Sequence, residues 1–415
     1  MNDLALGQRL MQRLDALALH SDEPGRLTRL YLSPAHKSAV QTLSVWMRAA
    51  GMQVRVDPLA TVIGRYEGQE PGAPAVLIGS HIDTVRNAGK YDGPFGVIAG
   101  LVAVEELARR VERLPFAIEV LAFGDEEGVR FPSTLSGSRA IAGTFDPSVL
   151  SGKDEVGVSL ADALTAFGCA VDRIGEAAMP ASTVLAYVEA HIEQGPVLET
   201  MDLPVGVVTA IDGACRLAVT IVGEAGHAGT VPMPMRKDSL AAAAEMVVAV
   251  ERAGQGHEGL VATVGLIEAR PGAVNVIPGE TSFTVDARAG SDDLRDECVA
   301  EIRSAIDKIA ARRGVGATVR VTHLAPATPC SPTLIAALSE AVRRAGLKPT
   351  ELPSGAGHDA MAIASLCDVG MLFVRCKGGI SHNPAESITA EDADACLRVL
   401  LEFLRSFTPA PGFPS

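Results

Sequence analysis

The chain has 415 residues, 47% of them apolar and 21% charged, with a formal charge of −14. That length allows two domains around a large core and excludes a disordered or fibrous chain. The acidic balance argues against a nucleic-acid or membrane partner, since either needs a basic face.

Met1 to His20 sets Asp3, Arg9, Arg13 and Asp15 among its apolar residues, the pattern of an amphipathic helix and not of a signal peptide. No run approaches the roughly 18 apolar residues of a membrane span. Seven cysteines, odd in number and never in a CxxC pair, read as reduced thiols rather than a disulfide or zinc-ribbon framework. A soluble, cytoplasmic protein is the expectation.

Ala35 to Ala50 has helical apolar spacing and ends at Gly51, a suitable C-cap. Met52 to Val56 and Thr61 to Tyr66 alternate like strands, and Ala75 to Ile78 is a short buried strand. Gly96 to Arg110 predicts a helix, and Phe116 to Phe123 an apolar run fit for a central strand. Ser159 to Phe167 predicts a short helix and Val184 to Ala190 another apolar run. Alternation of this kind predicts an α/β sandwich whose sites gather at the carboxyl ends of strands.

From about Asp212 the texture changes. Arg216 to Val222, Leu260 to Glu268, Glu280 to Ala287 and Ala317 to His323 read as strands, with helices over Lys237 to Ala253 and Leu294 to Arg313. This βαββαβ order is that of an open-faced sandwich. Pro326 to Pro332 is the expected return linker, and Thr333 to Ala345, Gly370 to Val374 and Ala390 to Phe407 resume the first texture. The division is residues 1–211 and 329–415 for one domain, with 212–328 inserted. A short proline-rich tail follows Phe407.

Four apolar runs lead into polar, glycine-rich loops that hold His, Asp or Glu. Gly79 to Gly96, GSHIDTVRNAGKYDGPFG, supplies His81, Asp83 and Asp92; Gly124 to Arg130, GDEEGVR, supplies Glu126 and Glu127; HIEQGPVLE supplies His191 and Gln194; RCKGGISHNPAE supplies His382. Each alone has a plainer reading: a histidine hydrogen-bonded at a strand end, a solvated acidic turn, a structural histidine. Together, His81, Asp92, Glu127, His191 and His382 are more ligands than one tetrahedral zinc takes, and two ions bridged by Asp92 account for all five. One glutamate of the adjacent pair then ligates while the other stays free as a general base.

The motifs GSHIDTV, YDGPFG, DEEGVRF, HIEQGP, GHAGTVPM, NVIPGE, SGAGHDA and SHNPAE, in that order, make the chain resemble the aminoacylase and dipeptidase clan of two-metal peptidases, the M20 clan. Within it they resemble the hydantoinase/carbamoylase amidase branch, over nearly the whole length. The resemblance implies a metal-dependent exopeptidase-like α/β/α catalytic domain with an inserted ferredoxin-like domain for lid closure and homodimerisation. It implies His81, Asp92, Glu127, His191 and His382 as metal ligands, Glu126 as base, and Asp83 as the carboxylate that fixes His81. It also implies that Gln194, Asn275 and Arg288 contact substrate and that His227 reaches the partner subunit's site, where it stabilises the developing oxyanion.

Two divalent ions are expected, zinc first, with manganese, cobalt or nickel also suited to imidazole and carboxylate. The reaction implied is hydrolysis of the carbamoyl (ureido) C–N bond of N-carbamoyl-L-amino acids or similar small ureido carboxylates. Allantoate amidohydrolase is the nearest alternative. A dipeptidase fits less well, because many clan peptidases carry an acidic residue where His191 stands, and a non-catalytic ligand-binding homologue is at odds with the intact Glu126. Arg288 has a competing reading as partner of Asp286 or Asp292, Arg130 as local charge balance, and His358 with Asp359 as a helix cap.

Overall fold

The computed structural model describes residues 5–408. Residues 1–4 of the expected first helix and 409–415 of the proline-rich tail lie outside the described residues. The chain forms two compact units, one of Met1–Thr209, Cys330–Leu352 and Gly357–Ser415, the other of Ala210–Pro329 and Pro353–Ala356.

The first unit begins with α1 (Leu6–Ala18) and α2 (Pro34–Ala49). The Ser33 side chain accepts from the N–H of His36 and Pro34 opens α2, the residues those positions favour. Next come β1 (Gln53–Val56), β2 (Val62–Tyr66), β3 (Ala75–His81), α3 (Pro94–Arg109), β4 (Ala117–Phe123), α4 (Ser136–Ile141), α5 (Leu160–Phe167), β5 (Val184–Ile192), α6 (Val197–Thr200) and β6 (Val205–Ile211). β3 and β4 are buried at every residue, which is why they read as unbroken apolar runs instead of alternating ones.

The second unit follows with β7 (Gly213–Val222), β8 (Gly226–His227), α7 (Ser239–Gln255), β9 (Leu260–Thr263), β10 (Ile267–Arg270), β11 (Val276–Ile277), β12 (Glu280–Ala289), α8 (Asp292–Arg313), β13 (Gly316–Ala325) and β14 (Thr328–Pro329). Its sheet runs β10–β12–β7–β13, with β9 also on β12 and every pairing antiparallel. Met246, Val250, Ile302 and Ile306 of the two helices share a core with Leu217, Val219, Phe283 and Val285 of the sheet. The strand expected over Leu260 to Glu268 is two strands, because residues 264–266 leave the ladder. Residues 353–356 also belong here: the N–H of Asp212 donates to the carbonyl of Ser354 at 2.8 Å and Arg288 Nη1 to that of Gly355 at 2.8 Å.

The chain then returns through α9 (Pro332–Arg344), β15 (Glu351–Ser354), α10 (Ala360–Ile363), β16 (Val369–Val374) and α11 (Ala390–Ser406). The larger sheet is mixed, in the order β1–β2–β4–β3–β5–β16–β6. β4, β3, β5 and β16 form a parallel block, flanked by antiparallel β2 and β6. α1, α3, α9 and α11 share its main core through Leu14, Val102, Leu338 and Leu400. All seven cysteines are free, and among the described residues no helix is long and apolar enough to cross a membrane. The four ligand-bearing loops therefore leave the same end of four adjacent parallel strands, where open α/β sheets place their sites.

Candidate functional site

β3 ends on His81, and the loop after it carries Asp92 into α3. Gly93 has φ 80°, and a Cβ there would lie 2.4 Å from His81 Cε1, so only glycine lets the Asp92 loop fold back over the imidazole. β4 leads directly into Glu126 and Glu127, β5 contains His191, and the loop after β16 presents His382.

Two groups of ligand atoms result, His81–Asp92–His191 and Asp92–Glu127–His382, each with its atoms within 4.8 Å of one another. Asp92 is common to both. Its Oδ1 lies 3.3 Å from His191 Nε2 and 3.9 Å from His81 Nε2, while Oδ2 lies 3.3 Å from His382 Nε2, which is itself 3.4 Å from Glu127 Oε2. An ion held tetrahedrally at about 2.0–2.1 Å keeps its donors roughly 3.3–3.4 Å apart. One carboxylate thus addresses two pockets with different oxygens, at separations of 3.3–3.4 Å that suit an ion between the donors and a wider 3.9 Å to His81. The donor set fits zinc, manganese, cobalt or nickel.

The buried imidazoles are aimed from behind. His81 Nδ1 lies 2.9 Å from the carbonyl of Asp83 and His191 Nδ1 2.9 Å from that of Ile192, which turns Nε2 of each ring toward the pocket. Asp83 therefore fixes His81 with its main chain; its carboxylate, 3.7 Å from Nδ1, is too far for a hydrogen bond. That carboxylate accepts instead from the backbone N–H groups of Glu126 and Glu127, both at 3.3 Å. Asp83 thus meets His81 through its carbonyl and the glutamate loop through its carboxylate.

Glu126 Oε2 stands 3.8 Å from His81 Nε2. Burial first, then the charges of Asp359, Glu127, Asp83 and Asp92, push its carboxyl well above the usual range. Burial and the charge of Asp92 raise Glu127 to about 8. Burial would also raise Asp92, but its hydrogen bonds to His191 and His382 hold it well below the ordinary value. Burial lowers His191 but its bond to Asp92 prevails and lifts it to about 9, and the same carboxylate lifts His382 to about 9. The raised histidines and carboxyls share one physical cause, buried acidic groups without an adjacent cation, which bound divalent ions would supply.

Gln194 donates through Nε2 to Asp92 Oδ2 at 2.9 Å and to Ser381 Oγ at 3.0 Å, and its Oε1 is buried with no hydrogen-bond partner. In the second unit, His227 and Asn275 are brought side by side: β8 pairs with β11, and the N–H of Ala228 donates to the Asn275 carbonyl at 2.9 Å, with both residues exposed. Arg288 is paired with Asp286, through Nε at 2.9 Å and Nη2 at 3.1 Å; Asp292 pairs with Arg295 instead. Arg130 binds Asp154 and the carbonyl of Tyr31, the charge-balancing role.

Two contributors, Ser381 and Glu386, escaped the sequence reading, and His358, weighed there only as part of a helix cap, also lies at the site. The His358 ring packs edge-on to His191 with centroids 4.5 Å apart. Ser381 Oγ donates to Asp92 Oδ2 at 2.5 Å, and Glu386 Oε1 accepts from the N–H groups of Tyr91 and Asp92. The SHNPAE motif contains both Ser381 and Glu386, but nothing local in it says that they face Asp92.

The profile of peptidase family M20/M25/M40 matches residues 77–406. The chain is 42% identical to an N-carbamoyl-L-amino acid amidohydrolase of Geobacillus stearothermophilus, over 95% of this chain and 97% of that protein. It is 41% identical to an allantoate deiminase of Arabidopsis thaliana, over 95% of this chain and 81% of that protein. A solved amidase of the hydantoinase/carbamoylase family from Burkholderia multivorans aligns with a TM-score of 0.91 at 34% identity, covering 97% of this chain and 98% of that one.

Proposed function

This chain belongs to peptidase family M20/M25/M40, and we propose that it is a two-metal amidohydrolase cleaving the ureido C–N bond of small carboxylate-bearing ureides, N-carbamoyl-L-amino acids first among them. The observation that carries this reading is Asp92, whose two oxygens face the His81–His191 pair and the Glu127–His382 pair separately. Bound ions would polarise the ureido carbonyl and make water acidic enough to react near neutral pH.

Glu126 is the proton carrier. Bound cations would offset the burial and acidic neighbours that raise Glu126, leaving its carboxylate to take a proton from water as the water oxygen bonds to the ureido carbon. It then delivers that proton to the nitrogen whose bond to that carbon breaks. The carbamic acid left by that cleavage breaks its own C–N bond as it loses carbon dioxide, so that one water is consumed and carbon dioxide, ammonia and the amino acid are released. The unpartnered Oε1 of Gln194 is suited to accept a ureido N–H. Arg288 and Asn275 are assigned to the substrate carboxylate, and His227 of the partner subunit to the oxyanion, so the active form is a homodimer that closes over its substrate.

Allantoate is the second substrate to test, since the relatives named for the two activities are 42% and 41% identical to this chain and both compounds are ureido carboxylates. Ammonia release is measured from a panel of N-carbamoyl-L-amino acids, 3-ureidopropionate and allantoate, after chelation and again with metal restored. Metal-dependent release from the N-carbamoyl amino acids is expected. Release from allantoate alone would move the assignment there, and dipeptide hydrolysis with no ureide turnover would overturn it.

A further inference from the structure

Glu386 lies four residues beyond His382 and is 4% exposed. Its Oε1 accepts from two successive backbone N–H groups, Tyr91 at 2.8 Å and Asp92 at 3.1 Å. A carboxylate oxygen that receives two amides is a strong, directional tie, and this one joins loops 295 and 294 residues apart in sequence. The same loop grips Asp92 a second time, through Ser381 Oγ on Oδ2 at 2.5 Å. Between the two grips His382 has φ 54°, a backbone conformation that a non-glycine residue keeps only where its surroundings enforce it.

The pockets depend on this tie unequally. His81 and His191 are each anchored by their own Nδ1 contacts to main-chain carbonyls. His382, with 53% of its side chain in solvent, has its position set by the loop that Glu386 pins. Resting on the two-metal reading above, we propose that Glu386 is a positioning residue that holds Asp92 and the His382 loop in register, so that the Glu127–His382 pocket binds its ion tightly. Gly89 offers an independent handle: a Cβ there would lie 2.4 Å from the Cβ, Cδ and Oε1 of Glu386, so Gly89→Ala pushes the carboxylate off its amides without changing any charge.

The test is cobalt(II) titration of chelated protein, read by metal content and by the visible spectrum of the bound ion. Wild type is expected to take two ions per chain. Glu386→Leu and Gly89→Ala should weaken the second ion about 10–100-fold, the loss typical when a ligand's supporting partner is removed, and the first ion by less, since Asp92 belongs to both groups but His81 and His191 keep their own anchors. Glu386→Gln, which keeps an acceptor oxygen for the two amides, should restore the second ion. Wild-type affinity for both ions in Glu386→Leu would overturn the proposal, and if that variant does not fold, unchanged second-ion affinity in Gly89→Ala would do so. A single ion in the wild type would overturn the two-metal reading itself, and this inference with it.

Discussion

In the first unit His81, Asp92 and His191 are at most 5% exposed, and the ends of three strands tie them together through Asp83, Ile192, Gln194, Ser381 and Glu386. In the second unit His227 and Asn275 are exposed, and Arg288 keeps 32% of its side chain in solvent. Burial strengthens every charge interaction and demands that each be compensated, which suits the gathering of cations and the moving of a proton. Exposed groups have weaker fields but are open to an arriving molecule. Under the function proposed above, changes in the first unit should strike metal content and kcat, and changes in the second should strike KM.

The largest effect that tests this division is expected from Asp92→Ala. It removes the one carboxylate common to both ligand groups, so elemental analysis should find neither ion retained after dialysis and activity should fall by about 10⁴-fold or more. An Asp92→Ala protein that kept both ions would break the shared-pocket geometry at its centre. Glu126→Gln should come next, with kcat lower by about 10²–10⁴-fold and metal content unchanged, because Glu126 belongs to neither ligand group. Unchanged turnover in that variant would remove Glu126 as the proton carrier.

A pH effect sharpens the contrast without mutation. Without metal, Asp92 raises His191 and His382 to about 9, and an ion must displace both protons to reach Nε2. Raised pKa values make the proton the stronger competitor, so apparent metal affinity should climb as pH rises toward about 9 and level off above it. The protonated imidazoles also favour the folded chelated protein below their unfolded value near 6.5, a contribution that fades as pH passes about 9. Calorimetric metal titrations at several pH values, with the protons released counted by varying the buffer, check both the slope and the plateau. A flat profile between pH 6 and 9 would show that Asp92 does not hold those protons.

The parallel block was legible because buried parallel strands announce themselves as apolar runs: β3, β4, β5 and β16 each end where the sequence places a histidine or a glutamate pair. β6 escaped although Val205–Ile211 is just such a run, since no ligand-bearing loop follows it and it stands where the texture changes. The break between β9 and β10 was hidden because residues 264–266 carry no proline, and Val264 and Leu266 continue the apolar run across Gly265. The ligand list came from pattern and resemblance. What the pattern could not give was Ser381 and Glu386, whose work is hydrogen bonding to loops distant in sequence, a relation fixed only once the sheet has brought strand ends together. Arg288 was left between two acids, and the choice of Asp286 follows from their placement two residues apart on one face of β12.

The smallest effect expected is that of Arg288→Leu. A guanidinium has five N–H groups, and in Arg288 three are engaged, two by Asp286 and one by the Gly355 carbonyl. The remaining two keep a cation available to a substrate carboxylate, with its plane held by Asp286. Removing Arg288 does not orphan Asp286, because Arg216 Nε still donates to it at 3.0 Å, so the thermal midpoint should barely move. Charge-assisted hydrogen bonds contribute about 1.5–3 kcal/mol, and with a third of the side chain in solvent the lower end applies. KM for N-carbamoyl amino acids should therefore rise by roughly tenfold while kcat and metal content stay near wild type. A substrate whose carboxylate is replaced by an amide should be handled alike by both proteins; equal KM values for the carboxylate substrate itself would take Arg288 out of recognition and leave it as the partner of Asp286 alone.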